Sequence, residues 1–370
     1  MKTRPWLAPF SLLYASGVYA WETCYRWRIL PARKLSIPVI GIGNITVGGS
    51  GKTPLTISLA QYVLDQGKRP GILSRGYGGS MSRSGNPFVF KGHDRPSPDL
   101  MGDEPALMAQ KLPDALFCIS ADRFRGGLAL QKDGADLVVL DDGFQSLELY
   151  QDLKVVFAPD NDFGSRMAAP FRFLPAGSLR DFPSRLGEAD ILVYATDTAT
   201  STSENGEVNH SGDENRKRQI QDSLSRLGFR QKNIEILGTE ISLSGIVDMN
   251  LMPAEPLGDL HGKNVVLVSG IARPERFRRF LERYGVHPID HLVLPDHASY
   301  SLRRAREIGE WVSGIERTDK IDRILTTEKD LVKWSRMPDL DERIRGVSIA
   351  MDWIEKENWT RQLDRILSKA

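Results

Sequence analysis

The chain has 370 residues, of which 41% are apolar, and a formal net charge of +1 at pH 7. This length suits two domains with real hydrophobic cores. The near-neutral charge argues against a general nucleic-acid binder, which is usually strongly basic. The two cysteines, Cys24 and Cys118, form neither a disulfide framework nor a metal-binding spacing, as is typical of a reducing compartment.

The N-terminal stretch is the first predicted element. Residues 6–21 carry no charge, but the run is shorter than the roughly 20 residues that cross a bilayer. Lys2 and Arg4 precede it, and Trp6 and Trp21 occupy its ends, as aromatic side chains do at a membrane interface. A cleaved signal peptide, a buried helix and a membrane-surface helix all fit this pattern. Because a cytoplasmic type of nucleotide loop follows closely, we expect the membrane-surface helix, dipping into or tilted through the bilayer.

The sequence GNITVGGSGKTP at 43–54 ends like a phosphate-binding loop but begins differently. The general pattern G-x-x-x-x-G-K-[ST] places its first glycine where this chain has Thr46. A predicted strand at Pro38–Gly43 precedes the loop and a predicted helix at Pro54–Gln66 follows it, which is the context such a loop needs. Since glycines let backbone amides approach phosphate oxygens, we predict an ATP-binding loop rather than a bland turn. Its predicted members are Thr46, Val47, Gly48, Gly49, Ser50, Gly51, Lys52 and Thr53.

Strands and helices alternate through the residues that come next. Residues 76–98 interrupt the alternation, because they are rich in Gly, Ser and Pro and are predicted to form a long loop. The alternation predicts a parallel sheet with helices on both faces. The predicted strands are Gly71–Ser74, Leu116–Ile119, Asp136–Leu140, Val155–Ala158 and Ile191–Tyr194, and the predicted helices are Asp103–Lys111 and Arg123–Lys132.

A change of composition divides the chain. Residues 196–217 are almost free of apolar side chains and are expected to form a solvated loop or disordered insertion. Two apolar runs within Ile234–Asn250, with a hairpin between them, predict an interdomain ribbon. The predicted segments are 1–35 (membrane-associated), 36–230 (nucleotide-binding α/β domain), 231–260 (β-ribbon) and 261–370 (smaller α/β domain).

Acidic residues at the ends of predicted elements offer metal and proton chemistry. Asp141 and Asp142 follow a buried strand, where P-loop enzymes carry a carboxylate near Mg²⁺; a helix cap or turn is the alternative. Thr53 would add a hydroxyl at the metal, and Lys52 would reach the β- and γ-phosphates. Asp103 begins a predicted helix, so it is either an N-cap or the base that takes a proton from an attacking hydroxyl.

Arginines and a histidine follow other predicted strands. Arg75 and Arg123 stand where strands end, the edge at which open α/β sheets bind ligands, and are either phosphate-binding or plain surface charges. Arg180 and Asp181 lie in a Pro/Gly-rich loop and either face the ligand or have no role in binding it. His297 follows a strand beside an aspartate, an arrangement that either supports a catalytic base or is purely structural.

Taken together, these segments resemble the tetraacyldisaccharide 4′-kinases, the lipid A 4′-kinase family. The resemblance covers about residues 38–334 in the family's order, and the joint occurrence of the motifs is far more specific than any one of them. The N-terminal apolar stretch is also similar to that family's membrane anchor. The matching stretches are GNITVGGSGKTP (43–54), SRGYGG (74–79), GDEP (102–105), LDDGFQ (140–145), LPAGSLRD (174–181), SGIARPERF (269–277), LPDHASY (294–300) and TTEKDLVKW (326–334).

The resemblance implies an activity, a fold and a location. The activity is phosphorylation by ATP, with Mg²⁺, of the 4′-hydroxyl of a tetraacylated glucosamine disaccharide 1-phosphate in lipid A biosynthesis. The fold is a P-loop kinase-like α/β/α sandwich with a second, smaller α/β domain joined by a β-ribbon. The location is the cytoplasmic face of the inner membrane of Gram-negative bacteria. The lipid disaccharide and the membrane surface are then the expected partners; neither nucleic acid nor an obligate protein partner is expected.

The resemblance also implies roles residue by residue. Asp103 matches the family's catalytic base, and His297 matches the histidine that supports it. Asp181 stands where the family commonly has glutamate, which is one methylene longer. Arg75 and Arg123 are candidates for the 1-phosphate of the substrate. The other matches are Lys52 and Thr53 with ATP and Mg²⁺, Asp141 and Asp142 at the metal site, and Gln145 and Arg180 in the active site.

Two other classes of protein compete with a lipid kinase. A P-loop GTPase or ATPase switch would carry a guanine-reading N-K-x-D motif or a switch region, and the sequence contains no N-K-x-D. A membrane adaptor with a degenerate nucleotide site would not need an intact phosphate-loop lysine or acidic pair. The reaction product separates these classes, because a switch releases free phosphate whereas the kinase yields a phosphorylated lipid.

Overall fold

The computed structural model describes residues 5–48, 51–158, 172–196, 211–229, 234–296, 298, 301–334 and 341–368. The helices in these residues are α1 (Ala8–Arg26), α2 (Lys52–Asp65), α3 (Pro98–Met101), α4 (Asp103–Lys111), α5 (Arg123–Lys132), α6 (Ser211–Arg226), α7 (Pro274–Arg283), α8 (Leu302–Ile315), α9 (Glu328–Trp334) and α10 (Lys356–Leu367). The strands are β1 (Val39–Asn44), β2 (Pro70–Ser74), β3 (Phe88–Lys91), β4 (Leu116–Ile119), β5 (Leu137–Leu140), β6 (Leu153–Phe157), β7 (Ile191–Thr196), β8 (Glu235–Val247), β9 (Pro253–Glu255), β10 (Val265–Ser269), β11 (Asp290–Val293), β12 (Arg323–Thr327) and β13 (Ile344–Trp353).

The first half of the molecule is a parallel sheet with helices on both faces. Its strand order is β7-β6-β1-β5-β2-β4-β3, and within these seven described strands the edge strand β3 runs antiparallel to its neighbour while the other pairs are parallel. Strand β5 reads LVVL and is buried along its whole length, because helices cover both faces of a parallel sheet. On one face Val139 packs in the same cluster as Leu55 and Leu59 of α2, and on the other Val138 packs with Leu130 of α5. The predicted α/β architecture is confirmed here.

The second half is a smaller parallel unit with the order β11-β10-β12-β13. Its core holds Val266, Ile324 and Trp334, packed against apolar side chains of α8. Strand β13 pairs antiparallel with β8, which in turn runs parallel to β7 of the first half. One mixed sheet of thirteen strands therefore passes through both halves of the described chain.

The pairing of β8 and β13 brings the carboxyl ends of the two parallel sets together. Strand β7 ends at Thr196, opposite Glu240 of β8. Strand β12 ends at Thr327, opposite Val347 of β13, and Val347 in turn pairs with Ile246 of β8. Because β12 runs against the direction of β7, the two sets of carboxyl ends face each other along β8. Open α/β sheets bind ligands at this edge, so the fold places two binding edges around one space.

Three predictions about local structure are wrong. Residues 76–98 are not one long loop, since they contain β3, whose Phe88 and Phe90 pack next to one another as alternate apolar residues of an edge strand. Ile234–Asn250 is not a hairpin, because β8 is a single strand whose antiparallel partners are β13 and β9. The polar insertion predicted at 196–217 is helical from Ser211 onwards, and residues 197–210 lie outside the described residues.

Helix α1 packs along one face of the first half. The hydroxyl of Ser11 donates to the backbone carbonyl of Phe173 at 2.9 Å and accepts from the backbone N–H of Ala176 at 3.0 Å. The hydroxyl of Tyr14 donates to the backbone carbonyl of Arg180 at 3.0 Å. The buried-helix interpretation therefore holds for one face of α1. No helix in the described part of the chain combines the length and apolar character needed to cross a membrane.

Candidate active site

The glycine-rich loop connects β1 to α2, as the sequence predicts. Gly51 takes the position before α2 with a φ of 90°, a left-handed backbone that glycine adopts without strain. Thr46 forms an antiparallel bridge with Leu179, and the N–H of Val47 donates to the carbonyl of Ser178 at 2.8 Å. The side chain of Thr46 is accommodated because this arm of the loop pairs with another segment. Gly49 and Ser50 lie outside the described residues.

Lys52 begins α2 and faces a carboxylate. Its Nζ lies 3.5 Å from Oδ1 of Asp142. Arg180 binds the same carboxylate with both terminal nitrogens, and Nη1 lies 2.6 Å from Oδ2. Burial alone would raise the pKa of Asp142, but the hydrogen bonds and charge of Arg180, with the charge of Lys52, outweigh it and hold this pKa below its ordinary value. Asp142 is therefore ionised at neutral pH, between two cations.

Asp141 is buried, whereas its neighbour Asp142 is partly exposed. Oδ2 of Asp141 accepts a hydrogen bond from the hydroxyl of Ser74 at 3.1 Å, and Oδ1 is buried without a hydrogen-bond partner among the described residues. Burial, together with the charges of Glu104 and Asp142, raises the pKa of Asp141 above its ordinary value. A buried carboxylate oxygen without a hydrogen-bond partner is available as a ligand for a cation.

The two arginines that follow strands occupy different positions. Arg75 is exposed at the end of β2 and lines the cavity of the site. Arg123 is wholly buried, and its guanidinium donates to the carbonyls of Ser120 at 3.2 Å and Asp141 at 3.4 Å. Burial, then the charge of Arg75, lowers the pKa of Arg123 to about 10. Arg123 is thus not a plain surface charge: it supports the backbone of the acidic pair, and Arg75 is the more accessible candidate for a phosphate.

Gln145 and Asp181 stand behind the site. The amide nitrogen of Gln145 donates to the carbonyl of Asn44 at 2.9 Å and to Oδ2 of Asp181 at 3.0 Å. Asp181 is fully buried and pairs with Arg185 at 2.8 Å. These contacts tie the loop that carries Arg180 to the end of β1, so both residues brace the site from within.

Asp103 is the first residue of α4, and Gly102 before it takes the cap position, so the N-cap interpretation of Asp103 is wrong. Gly102 has a φ of 92°, and a Cβ there would lie 2.6 Å from the carbonyl oxygen of Tyr77. The GDEP and SRGYGG motifs therefore meet at this point. Oδ2 of Asp103 lies 3.4 Å from Nζ of Lys333, which comes from the second half of the chain. His297 lies outside the described residues.

The sequence prediction did not assign roles to three lysines at the contact of α4 with the second half. Lys329 pairs with Glu104 at 3.1 Å, Lys333 pairs with Asp103, and Lys111 pairs with Glu328 at 2.6 Å. Two of these lysines stand in TTEKDLVKW, the motif that carries part of the family resemblance. Their spacing of four residues on one short helix was the available signal.

A cavity of about 1220 Å³ lies where the two sets of carboxyl ends meet. Its first-half wall carries Lys52, Arg75, Asp141 and Arg180. Its second-half wall comes from loops after β10 and β12 and from the middle of the β8–β13 pair. Further lining residues are Gly51, Thr53, Glu104, Lys329 and Trp353. This volume is large enough for a nucleotide together with part of a second substrate.

A phosphate-binding loop between a buried strand and a helix, an acidic pair after the neighbouring strand and a deep cleft at the carboxyl edge define a P-loop phosphotransferase. A family model described as tetraacyldisaccharide-1-P 4'-kinase matches residues 3–368. The tetraacyldisaccharide 4'-kinase of Pelobacter propionicus is 34% identical over 332 residues, which are 88% of this chain and 82% of that protein. The enzyme of the same name from Aquifex aeolicus is 32% identical over 332 residues, 89% of this chain and 90% of that protein.

A solved structure agrees with these sequence matches. The crystal structure of LpxK from Aquifex aeolicus in complex with ATP covers 98% of both chains, with a TM-score of 0.71 and 28% identity. The chain belongs to the tetraacyldisaccharide-1-P 4'-kinase family. It is an ATP-dependent kinase that phosphorylates the 4′-hydroxyl of a tetraacylated glucosamine disaccharide 1-phosphate in lipid A biosynthesis, and the resemblance drawn from the motifs is confirmed.

Proposed function

We propose that phosphoryl transfer in this enzyme takes place in the cavity between the two halves, with Lys52 and Asp103 as its catalytic residues. The observation that carries this proposal is the meeting of two binding edges around one space. Lys52 and Arg180 line the wall that holds the phosphate loop, and Asp103 begins the helix that borders the second half. A donor and an acceptor bound from opposite sides would meet there.

The acidic pair and Thr53 form the proposed Mg²⁺ site. The donors fit this ion, since they are oxygens and since the buried Oδ1 of Asp141 has no hydrogen-bond partner among the described residues. In the described ranges no third His, Cys, Asp or Glu joins them into a complete cage. That also fits, because Mg²⁺ usually takes one or two carboxylates and completes its shell with phosphates and water. When bound, the ion neutralises charge on the transferred phosphoryl group.

The residues of the chain divide the work of transfer. Lys52 offsets negative charge as the γ-phosphorus leaves the bridging oxygen of ADP, and Arg180 keeps Asp142 ionised beside it. Asp103 accepts the proton of the 4′-hydroxyl while that oxygen bonds to phosphorus. His297 is proposed to support Asp103, and Arg75 to hold the 1-phosphate of the substrate. Closure of the two halves would exclude water from the cavity.

We propose that α1 lies at the membrane surface on the cytoplasmic side of the inner membrane, where the acylated substrate resides. Trp6, in the short 3-10 turn before α1, and Phe10 and Leu13 of α1 are each more than half exposed. Exposed apolar side chains on one side of a helix are the signature of an interfacial helix. The buried side holds Ser11 and Tyr14 against the loop that carries Arg180, so the helix would anchor the enzyme without leaving its own fold.

The assignment of the base is tested by Asp103→Asn, which keeps the size of the side chain and removes its basicity. Transfer is measured with labelled ATP and the lipid disaccharide, with Mg²⁺ present or chelated. We expect a fall in kcat of about 10²- to 10⁴-fold, the usual contribution of a general base. Asp114→Asn is the matched control, because Asp114 is exposed beyond the other end of α4. Full transfer activity in Asp103→Asn would overturn the assignment.

Membrane association is tested by replacing Trp6, Phe10 and Leu13 together with serine. Because these side chains are exposed, the triple variant should melt at the temperature of the parent protein and bind ATP with unchanged affinity. We expect sedimentation with phospholipid vesicles to be lost. Leu302→Ser is the control, since Leu302 is equally exposed but belongs to α8. Unchanged vesicle binding in the triple variant would contradict the proposal.

A further inference from the structure

Lys333 is the point at which the second half reaches Asp103. Its side chain is 9% exposed, and Nζ lies 3.4 Å from Oδ2 of Asp103 and 3.3 Å from Oδ1 of Asp330. The same Nζ donates to the carbonyl of Ala298 at 3.2 Å. One ammonium group therefore holds a carboxylate from each half and a backbone carbonyl of a third segment.

Asp330 is fixed independently of Lys333. It is completely buried, and its Oδ2 accepts from the N–H of Gly270 at 3.0 Å and from the hydroxyl of Thr327 at 2.8 Å. Gly270 belongs to the SGIARPERF stretch and Thr327 to TTEKDLVKW. A buried carboxylate anchored by two donors cannot follow a moving lysine, so it fixes the position of the ammonium group.

We infer that Lys333 is a positioning residue for Asp103, holding the base ionised and in a fixed position when the two halves are together. This inference rests on the proposed role of Asp103. An ammonium group within ion-pair distance stabilises the carboxylate form, which is the form that accepts a proton. Without the cation, Asp103 would share its surroundings with the carboxylates of Asp330 and Glu104, and its protonated form would be favoured.

The other charged groups at this contact do not substitute for Lys333. Glu104 is next to Asp103 on α4 and pairs with Lys329. Farther along the same contact, Lys111 and Glu328 pair with each other and with the backbone of β13. Lys333 makes an ion pair with Asp103. Lys320 offers a control, because its side chain is 87% exposed, it pairs with Asp322 and it does not line the cavity.

The test compares Lys333→Met, Lys333→Arg and Lys320→Met in full-length enzyme. The measured quantities are kcat, KM for each substrate and the pH dependence of kcat. For Lys333→Met we expect at least a tenfold fall in kcat near neutral pH and little change in either KM. The acidic limb of the pH profile should move about one unit or more to higher pH, since the opposite charge is lost. Lys333→Arg should recover most of the parent pH profile, and Lys320→Met should leave that profile unchanged.

Asp330→Asn provides a second variant with the opposite expected sign. It keeps an acceptor for Gly270 but removes the competing carboxylate, so the acidic limb should move to lower pH. Profiles that coincide with the parent in Lys333→Met and Asp330→Asn, or shift in the same direction, would overturn the inference. If Asp103→Asn keeps full activity, the proposed base itself is wrong. If Asp103→Asn is inactive while the Lys333→Met profile is unchanged, the positioning role alone is refuted.

Discussion

The two walls of the cavity balance their charges in different ways. On the first-half wall, Asp142 pairs with both Lys52 and Arg180 within a single half. At the contact between α4 and α9, here called the junction, both lysines of α9 pair with a carboxylate of α4, and Lys333 also pairs with Asp330 of its own helix. The phosphate wall is therefore complete in one half of the chain, whereas the surroundings of Asp103 exist only when both halves are in contact.

The largest expected effect comes from the phosphate wall. Lys52→Met removes the cation that faces Asp142, while Arg180 still binds the same carboxylate with two nitrogens. We expect a fall in kcat of about 10³-fold, on the scale of losing one preorganised charge contact in a transition state. The melting temperature should stay close to that of the parent, because Asp142 keeps its other partner. A large drop in melting temperature would show that Arg180 alone does not keep the phosphate wall stable.

An intermediate effect is expected at the junction. Lys111→Met leaves the carboxylate of Glu328, which is 5% exposed, without its cation. Removing one partner of a buried pair costs about 3 kcal/mol of unfolding free energy, measured by denaturant titration. Lys329→Met is the comparison, because the side chain of Glu104 is 38% exposed and can be solvated. It should cost about 0.5 kcal/mol. If the two variants lost the same unfolding free energy, the ion pair of Lys111 would be no more buried than the ion pair of Lys329.

The smallest effect concerns the support behind the first wall. Burial, then the hydrogen bond and charge of Asp181, raise the pKa of Glu22 on α1 to about 8. The folded protein thus retains a proton that the unfolded chain releases above pH 4.5 or so, and stability contributed by this group falls as the pH rises toward 8. Glu22→Gln removes that loss. We expect it to exceed the parent in unfolding free energy by about 1 kcal/mol at pH 8 and to match it at pH 5.

Thermal unfolding at both pH values checks this last prediction, with Glu214→Gln on the exposed side of α6 as the control. A difference that is independent of pH would mean that Glu22 is ionised in the folded protein. In that case Arg185, whose Nε lies 3.8 Å from Glu22, would be the dominant partner. The first wall would then depend on the charge of α1 as well as on its own loop.

The sequence was most informative where local pattern and chemistry coincide. The bounds of α4, α5 and β4 follow directly from apolar spacing and flanking polar residues. The phosphate loop and the acidic pair were recognised from residue type and spacing. The spacing of apolar residues does not reveal the long-range pairing of β8 with β13, because the residues of one strand do not show which strand it will pair with. A hairpin was therefore expected where one strand lies.

Side-chain partners across the junction were equally inaccessible. Lys333 and Asp103 are far apart in sequence, and nothing local to α9 shows which carboxylate its lysines will meet. Arg123 is predicted to follow a strand, and it begins α5 after β4 ends at Ile119. Its burial depends on contacts with Ser120 and the backbone of Asp141, which exist only once the sheet has formed.

The docking of α1 has a consequence for the order of events during synthesis. Ser11 and its acceptor Phe173 are 162 residues apart. At about 5–20 residues per second, roughly 10–30 s pass between the emergence of the helix and that of the loop that receives it. Throughout this interval neither side of α1 has its partner from the folded domain. The nascent chain thus exposes an apolar helix well before the loop that binds it has been synthesised.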